Sequence, residues 1–222
     1  MLQAIGPDLY TATSMMRFPV GVELPIRMVV ARLPDGSLAL VSPIPMDDAL
    51  AAEVAALGQV RYLVGPNLLH HLSLGPARER FPDAALLGAP GLAAKRSDLA
   101  FDGEIADAPW GDALSAHLVA GAPRINEVVL HHAASSTLIA TDLLFNIRTP
   151  ANRRTAVVLA IAGTRGRLAK SREWMFLVKD RAAFHESVDR LLALPFERVV
   201  MAHGDVVESD GRAEMARVLG RT

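Results

Sequence analysis

Residues 60–81 read VRYLVGPNLLHHLSLGPARERF, and the predicted fold is organised around this stretch. Its first five residues form an apolar run that is typical of a buried strand. A Gly-Pro-Asn break ends the strand, and His70 and His71 follow at the start of a helix-compatible segment, 74–81. A strand that ends in a turn carrying two imidazoles is a common way to build a metal or catalytic site. An ordinary loop position is the simpler interpretation of two adjacent histidines.

The composition excludes several classes of protein. Of the 222 residues, 51% are hydrophobic and 21% are charged, which is enough apolar material for one large domain. The net charge is −1, with 23 basic and 24 acidic residues, so the charge balance favours neither nucleic acid nor an anionic membrane as a partner. Because the chain has no cysteine, disulfides and thiolate metal sites are excluded, and His and carboxylates are the strong metal ligands that are left.

Two further observations concern localisation. The first ten residues, MLQAIGPDLY, have neither the basic region nor the apolar region of a secretory signal. The longest apolar runs are also well short of a bilayer span. A soluble cytoplasmic protein without membrane contact is therefore expected.

The first hundred residues predict a hairpin followed by alternating helices and strands. The β-rich runs 26–33 and 37–41 flank a Pro-Asp-Gly turn signal. Next comes a helix, 46–57, whose first turn contains Asp47 and Asp48, and then the strand described above, a short helix and a strand at 84–87. This alternation favours α/β layers in which helices cover a sheet.

One apolar segment of this half, residues 15–24, contains a proline and a glycine and has two interpretations. We interpret it as a loop packed over the core. The alternative is an exposed apolar flap over a site.

The second half predicts a second hairpin, a helix and a final strand. Runs 127–132 and 137–141 are strand-like on either side of a turn, and the second leads into Asp142. Residues 180–194 form the clearest helix, which Asp180 can cap. The apolar run 198–202 predicts a buried strand that ends at His203.

Two segments in between are less clear, and several polar residues are interpreted as structural. Residues 155–162 suit a helix or a strand, and the basic stretch 165–179 is interpreted as a solvated helix face. Glu127 opens a strand, where a structural salt bridge is the preferred interpretation over a position in the cleft. Structural or solvated positions are also expected for the remaining histidines, which are His117, His131, His132 and His185.

The order of these elements resembles the metallo-β-lactamase superfamily over most of the chain. The features that match are the early hairpin, the capped helix, the histidine turn, the later hairpin ending TLIATDLLF and the final strand ending in His-Gly. The resemblance implies a four-layer αββα sandwich as a single domain over residues 1–222. It also implies the superfamily's chemistry, in which metal-dependent hydrolases act on phosphoesters, thioesters or lactams, and some members use iron for redox reactions.

The superfamily's histidine turn usually reads H-x-H-x-D-H, and this chain departs from it. Pro66 and Leu68 stand where the first two histidines would be, and Ala122 stands where a further histidine of the same site would be. These side chains have no donor atom, so the first of the family's two metal sites is expected to be lost. His70 stands at the aspartate position and His71 at the last histidine.

The second metal site keeps its donors. Asp142 matches the aspartate that bridges two metals in the superfamily, and His203 matches the last histidine. The resemblance therefore implies at most one ion, held by His70, His71, Asp142 and His203. Three imidazoles and a carboxylate suit Zn or Fe(II). The sequence also resembles an uncharacterised branch of the superfamily with P-N-x-x-H-H-L, S-x-T-L-I-x-T-D-L-x-F and H-G blocks.

Two hypotheses of different classes follow. The first is a divergent single-metal hydrolase that acts on an ester-like small molecule. The second is a non-catalytic binding or interaction protein that keeps the scaffold and has lost its metals. Asp142 and His203 favour the first hypothesis. The loss of three ligands favours the second, as does Ser42, which replaces the aspartate that closes the early hairpin in the superfamily.

Overall fold

The computed structural model describes residues 1–221, in which two facing sheets lie between layers of helices. The strands are β1 (Gln3–Gly6), β2 (Leu9–Arg17), β3 (Glu23–Arg32), β4 (Leu38–Val41), β5 (Val60–Gly65), β6 (Ala85–Gly88), β7 (Gly103–Glu104), β8 (Leu114–Leu118), β9 (Val128–His132), β10 (Thr137–Ile139), β11 (Phe145–Asn146), β12 (Arg198–Val200) and β13 (His203–Gly204). The helices are α1 (Asp48–Leu57), α2 (Leu74–Arg80), α3 (Leu92–Lys95), α4 (Arg153–Ala162), α5 (Arg172–Leu177), α6 (Arg181–Leu192) and α7 (Gly211–Leu219).

The first sheet contains β1 to β7 in chain order. Its first four strands are antiparallel, and β5, β6 and β7 continue it in parallel. The predicted hairpin around Pro34-Asp35-Gly36 joins β3 to β4 and is confirmed. The alternation of helices and parallel strands that follows it is confirmed as well, because α1 and α2 separate β4, β5 and β6.

The second sheet has the order β12-β10-β9-β8. Strands β9 and β10 pair antiparallel, with Leu130 opposite Ile139, which confirms the predicted hairpin. Strand β10 pairs in parallel with β12, with Ile139 opposite Val200. Because parallel neighbours end at the same edge of a sheet, the chain leaves both strands side by side, just before Asp142 and His203. A small parallel pair, β11 and β13, then joins Phe145 to His203.

The apolar side chains form three layers of core. Between the sheets, residues such as Val41 and Val64 pack with Ile139 and Val200. The outer face of the first sheet packs on α1 and α2, and that of the second packs on α6 and α7. This is the αββα arrangement, and strands β4, β9 and β10 are buried at every residue, as their continuous apolar runs indicate.

Local sequence explains where the helices begin. The side chains of Asp47 and Asp180 accept hydrogen bonds from the backbone N–H groups of Leu50 and Ala183, as predicted. Helix α4 resolves the ambiguous run 155–162 as helix, and Asn152 caps it through the N–H of Thr155. The interpretation of 165–179 as one solvated helix face is wrong: only Arg172–Leu177 is helical, and Trp174 within it is buried. Helix α7 was not predicted.

The apolar segment 15–24 is not a loop packed over the core. Strand β2 continues to Arg17 and β3 begins at Glu23, with Met16 opposite Leu24, so the segment is the end of a long hairpin. Val20 at its tip is 80% exposed, which corresponds to the flap interpretation. None of the helices in residues 1–221 has both the length and the hydropathy that crossing a bilayer requires.

Candidate metal centre

Three of the four predicted ligands meet where the edges of the two sheets come together. His70 lies in the turn after β5, Asp142 follows β10, and His203 opens β13 after β12. The parallel pairing of β10 with β12 places the last two side by side. The turn after β5 brings His70 to them from the first sheet.

The three side chains form a compact triangle of donor atoms. His70 Nε2 and His203 Nε2 lie 3.4 Å and 3.3 Å from Asp142 Oδ1, and 3.3 Å from each other. Their side chains are 10%, 7% and 9% exposed for His70, His203 and Asp142. Among residues 1–221, this is the single group of three or more His or carboxylate side chains whose ligand atoms converge closely enough to hold a metal ion.

The backbone fixes the tautomer that the neutral form of His203 adopts. Its Nδ1 lies 2.7 Å from the carbonyl oxygen of Pro25. A carbonyl accepts but cannot donate, so Nδ1 carries the hydrogen, and Nε2 of the neutral ring presents a lone pair to the cluster. The ring of Phe145 stacks on His203 at 4.9 Å with an interplanar angle of 9°, which holds its orientation.

Ser42 holds the other imidazole. Its Oγ lies 2.8 Å from Nδ1 of His70, at the position where the superfamily resemblance has an aspartate. A hydroxyl can donate or accept, so Ser42 is compatible with a hydrogen on either nitrogen of His70. Ser42 has φ +53°, a left-handed backbone conformation that aspartate and asparagine tolerate better than serine.

Asn67 connects the histidine turn to the carboxylate. Its Nδ2 donates to Asp142 Oδ2 at 2.7 Å and to Thr141 Oγ1 at 2.9 Å, while its Oδ1 accepts from the N–H groups of Leu69 and His70, each at 2.7 Å. Asn67 is fully buried, and both hydrogens of its amide nitrogen and both lone pairs of its amide oxygen have partners. Since Asn67 occupies Oδ2, the other oxygen of Asp142 is left for the two imidazoles.

Glu127 lies behind the cluster and not in a salt bridge, so the predicted ion pair is wrong. Its two carboxylate oxygens accept the backbone N–H groups of Thr141 at 2.7 Å and Asp142 at 3.1 Å. Trp174 Nε1 donates to the same carboxylate at 3.4 Å. Glu127 is completely buried and holds the main chain that carries Asp142.

The electrostatics of the cluster follow from burial and from two close carboxylates. Burial raises the pKa of Glu127, the charge of Asp142 raises it further, and the result is a pKa of about 7. Burial would also raise the pKa of Asp142, but His70 and His203 hold it well below its usual range. Burial lowers the pKa of His70, and the charge and hydrogen bond of Asp142 outweigh this effect, so its pKa lies above the ordinary value. Asp142 is therefore an anion at neutral pH.

The structure does not bring His71 into the triangle. Its Nδ1 faces Arg96 Nη1 at 3.2 Å, and its carbonyl oxygen accepts from the same guanidinium at 2.8 Å. Burial and the charges of Lys95 and Arg96 lower the pKa of His71, so it is a neutral side chain at the pocket wall. Neighbouring residues in a turn point in different directions, which is why His70 and His71 separate.

The three residues at the first metal position of the family pattern have no donor side chains. Pro66 uses its carbonyl oxygen to accept from the N–H of Val128, the Leu68 N–H donates to Ile125, and Ala122 is buried. The other histidines lie elsewhere: His132 bonds Ser135 at 2.7 Å, and His117 bonds Ser115 at 3.0 Å. The structural interpretation is confirmed for these two, whereas Nδ1 of His185 is buried without a hydrogen-bond partner among the described residues.

A pocket of about 500 Å³ opens above the triangle. Its floor contains Ser42 and the three clustered side chains. Its walls are mainly apolar and come from the β2–β3 hairpin, the histidine turn, β11 and α4. The sequence alone does not assign Asn67 or Glu127 to this site. For Asn67 a signal exists, because an asparagine in a turn often accepts the backbone N–H groups two and three residues later.

Comparison with solved structures finds the same architecture. A metallo-β-lactamase from Pontibacter korlensis superposes with a TM-score of 0.67 at 15% identity, covering 100% of this chain and 97% of that one. One from Hirschia baltica has a TM-score of 0.66 at 11% identity, with 100% and 96% covered. The metallo-β-lactamase FIM-1 from Pseudomonas aeruginosa in the mono-zinc form has a TM-score of 0.60 at 12% identity, with 100% and 93% covered.

At such identities these likenesses establish the fold and not the activity. No curated protein matches the chain in sequence. The family DUF4336, described as a domain of unknown function, matches residues 16–162, which include the hairpin, the histidine turn and Asp142. The chain therefore belongs to the DUF4336 family, and its fold is that of the metallo-β-lactamases.

Proposed function

We propose that the protein is a single-metal hydrolase for ester-like small molecules, with zinc or ferrous iron held by His70, Asp142 and His203. The observation that carries the proposal is the triangle of donor atoms with sides of 3.3–3.4 Å. Ligands about 2.0–2.1 Å from a tetrahedral zinc ion lie roughly 3.3–3.4 Å from one another. The spacing of the three donor atoms therefore matches that of ligands around such an ion.

Hydrogen bonding alone explains the triangle less well. His203 Nε2 and Asp142 Oδ1 both present lone pairs, so His70 Nε2 is the single atom of the three that can carry a hydrogen when both rings are neutral. That hydrogen would have to serve two acceptors at 3.3 and 3.4 Å, beyond the ordinary 2.7–3.2 Å range for N–H donors. A cation at the centre satisfies all three atoms at once.

Three protein ligands and one open position are typical of catalytic zinc sites, whereas structural sites have four. A bound ion would act as a Lewis acid toward a carbonyl or phosphoryl oxygen and would activate water. Ser42 and the Pro25 carbonyl orient the two imidazoles, as hydrogen-bond partners of ligating histidines generally do. The mono-zinc form of the FIM-1 neighbour supports a one-metal site in this fold.

The pocket suggests which substrates fit. Its walls are contributed mainly by side chains such as Met16, Phe18, Leu24 and Val158, and Glu173 is the one carboxylate besides Asp142 that lines it. An apolar wall excludes water from the reacting group and favours neutral substrates with apolar substituents. Esters and thioesters with a hydrophobic acyl part are the substrate class that we propose.

The second candidate is a metal-free binding protein. The observation that favours it is the raised pKa of His70, since a proton on this ring next to the Asp142 anion can replace the metal cation. In that case the pocket binds an apolar ligand above an internal ion pair, and no hydrolysis occurs.

Hydrolysis of p-nitrophenyl esters of increasing acyl length separates the two candidates. Protein loaded with one equivalent of zinc is expected to release p-nitrophenol, and the His203→Ala variant is expected to lose this activity. His117→Ala, which alters a distant histidine, serves as the matched control. If the protein supplied with zinc hydrolyses none of the esters but binds them, the second candidate, a binding protein, is supported.

A further inference from the structure

The exposed apolar side chains of this protein are concentrated at the opening of the pocket. Residues 1–221 contain eleven exposed large apolar side chains, and all except Met1, Met15 and Leu118 belong to four elements around the opening. These elements are the β2–β3 hairpin tip, the histidine turn, α4 and α5. We call this surface the rim, and its most exposed members are Val20 (80%), Phe176 (76%), Ile161 (70%), Leu72 (63%) and Val157 (58%).

Direct contacts join the elements of the rim. The N–H of Glu23 donates to Thr155 Oγ1 at 2.9 Å, and Arg154 Nη1 donates to the carbonyl oxygen of Val20 at 3.1 Å. These bonds hold the hairpin tip against α4. In α4, Thr155 and Leu159 are buried, so Val157, Val158 and Ile161 face outward as an unpartnered apolar stripe. Arg172 at the start of α5 donates to the carbonyl oxygen of Ile161 at 3.2 Å, and Leu69 of the histidine turn lines a small cavity together with Glu173 of α5. The four elements of the rim are therefore neighbours in the structure.

The segment that contains α4 and leads into α5 is strongly positive. Residues 143–172 contain seven cations and no Asp or Glu. The cations are Arg148, Arg153, Arg154, Arg165, Arg167, Lys170 and Arg172. None of these seven is in a salt bridge within residues 1–221, whereas ten of the remaining sixteen Lys and Arg residues are. The near-zero net charge of the whole chain conceals this asymmetry.

We propose that the rim docks on the surface of a bilayer that carries anionic lipids. Exposed apolar side chains flanked by Arg and Lys are the combination that binds peripheral proteins to such a surface, because the apolar groups enter the acyl boundary and the cations bind headgroups. The cations of this segment have no carboxylate partners within the described chain, so their positive charge is not neutralised by a neighbouring group. Docking in this way opens the pocket toward the lipid layer. The proposal depends on the rim and on the cations of residues 143–172, and it holds with or without a metal in the triangle.

A second copy of the chain is a poorer occupant of the rim. In a two-fold dimer through this surface, cations beside the hairpin tip such as Arg153 and Arg154 would approach those of the other copy, and like charges at an interface oppose association. The carboxylate on this side, Glu173, and the paired Glu23 are too few to offset them. An acidic protein partner is the remaining alternative, and the experiment separates it from the bilayer.

Vesicle flotation with the full chain tests the proposal. Wild-type protein is expected to float with vesicles of phosphatidylcholine and phosphatidylglycerol and not with vesicles of phosphatidylcholine alone. The Arg165→Gln/Arg167→Gln variant should bind the anionic vesicles about fivefold more weakly for each charge removed. Ile161→Gln/Phe176→Gln should also lose binding, because it removes two of the most exposed apolar groups.

Two control variants remove the same kinds of side chain from other parts of the surface. Arg181→Gln/Arg212→Gln removes two exposed cations outside the segment, and Leu118→Gln removes an exposed apolar residue on β8. Both controls should float like wild type, and circular dichroism should be the same for all variants. The proposal is overturned if wild type does not bind anionic vesicles. It is overturned equally if the rim variants bind as tightly as the controls, or if Ile161→Gln/Phe176→Gln instead abolishes a dimer of the wild-type chain.

Discussion

The Nε2 atoms of His70 and His203 lie 3.3 Å apart, and both face the same oxygen of Asp142. Because the Pro25 carbonyl holds the hydrogen of His203 on Nδ1, at most one hydrogen lies among the three atoms of the neutral cluster. A buried arrangement of this kind requires a shared proton or a metal ion. The predictions below follow from that requirement and from the residues that hold the cluster in place.

Ser42 should contribute to metal affinity through His70. Ser42→Ala removes the hydrogen-bond partner of His70 Nδ1, and loss of such a partner usually weakens metal binding by at least about tenfold. Competition with a chromogenic zinc chelator measures the change. Ser115→Ala is the control, because Ser115 makes the same kind of contact with His117, away from the site. Equal zinc affinity in Ser42→Ala and wild type would show that the hydroxyl does not orient a ligand.

Asn67 should be a major contributor to stability. Asn67→Ala leaves the Asp142 oxygen, the Thr141 hydroxyl and two backbone N–H groups without their partner in a buried site. Buried groups left unpaired cost about 1–3 kcal/mol each, and partial relaxation makes a loss of roughly 2–4 kcal/mol the expected outcome. Urea unfolding of the metal-free protein gives this difference. A loss below about 1 kcal/mol would mean that water replaces the side chain.

Glu127 should make the stability of the metal-free protein depend on pH. Its pKa rises from 4.5 in the unfolded chain to about 7 in the folded protein, so between these values the folded state retains a proton that the unfolded state has released. Stability from this group is complete below pH 4.5 and is lost as the pH rises through 7, by about 3 kcal/mol in all. Urea unfolding at several pH values across this window measures the slope.

The Glu127→Gln variant isolates this effect. It is less stable overall, because an amide cannot accept both backbone N–H groups, but it contains no titrating group at this position. Its stability should therefore decline less than that of wild type between about pH 5 and pH 8. If the free energies of unfolding of the two proteins change with pH by the same amount, the pH dependence comes from other residues.

The protein should bind one zinc ion and not two. The first metal position of the superfamily pattern is occupied by Pro66, Leu68 and Ala122, and no second group of converging ligands exists in residues 1–221. Calorimetric titration of the apo protein with excess zinc should show one tight equivalent per chain. A second tight equivalent would contradict the loss of that site.

Much of the fold could be predicted because its signals are local. Apolar runs, turn residues and the caps Asp47 and Asp180 each specify their own segment, and the order of these segments carried the superfamily resemblance. Segment 165–179 was misinterpreted for the same reason. Its charges suggest a solvated helix, whereas tertiary packing buries Trp174 and limits the helix to six residues.

The candidate site was predictable only in part. Asp142 and His203 follow strand ends, so their proximity was expected and is observed. The separation of His70 from His71 depends on the path of a turn, which the sequence does not specify. The roles of Ser42, Asn67 and Glu127 arise from contacts between distant segments, such as the 75 residues between Asn67 and Asp142, and no periodic pattern reports such contacts.

Metal content is the most direct test of the central claim, which is that His70, Asp142 and His203 hold one metal ion. Wild type, His203→Ala and His71→Ala should be purified without chelator, supplied with one equivalent of zinc, desalted and measured by elemental analysis. We predict close to one ion per chain in wild type and in His71→Ala, and little or none in His203→Ala. Metal retained by His203→Ala but lost from His71→Ala, or absent from wild type, would contradict the account.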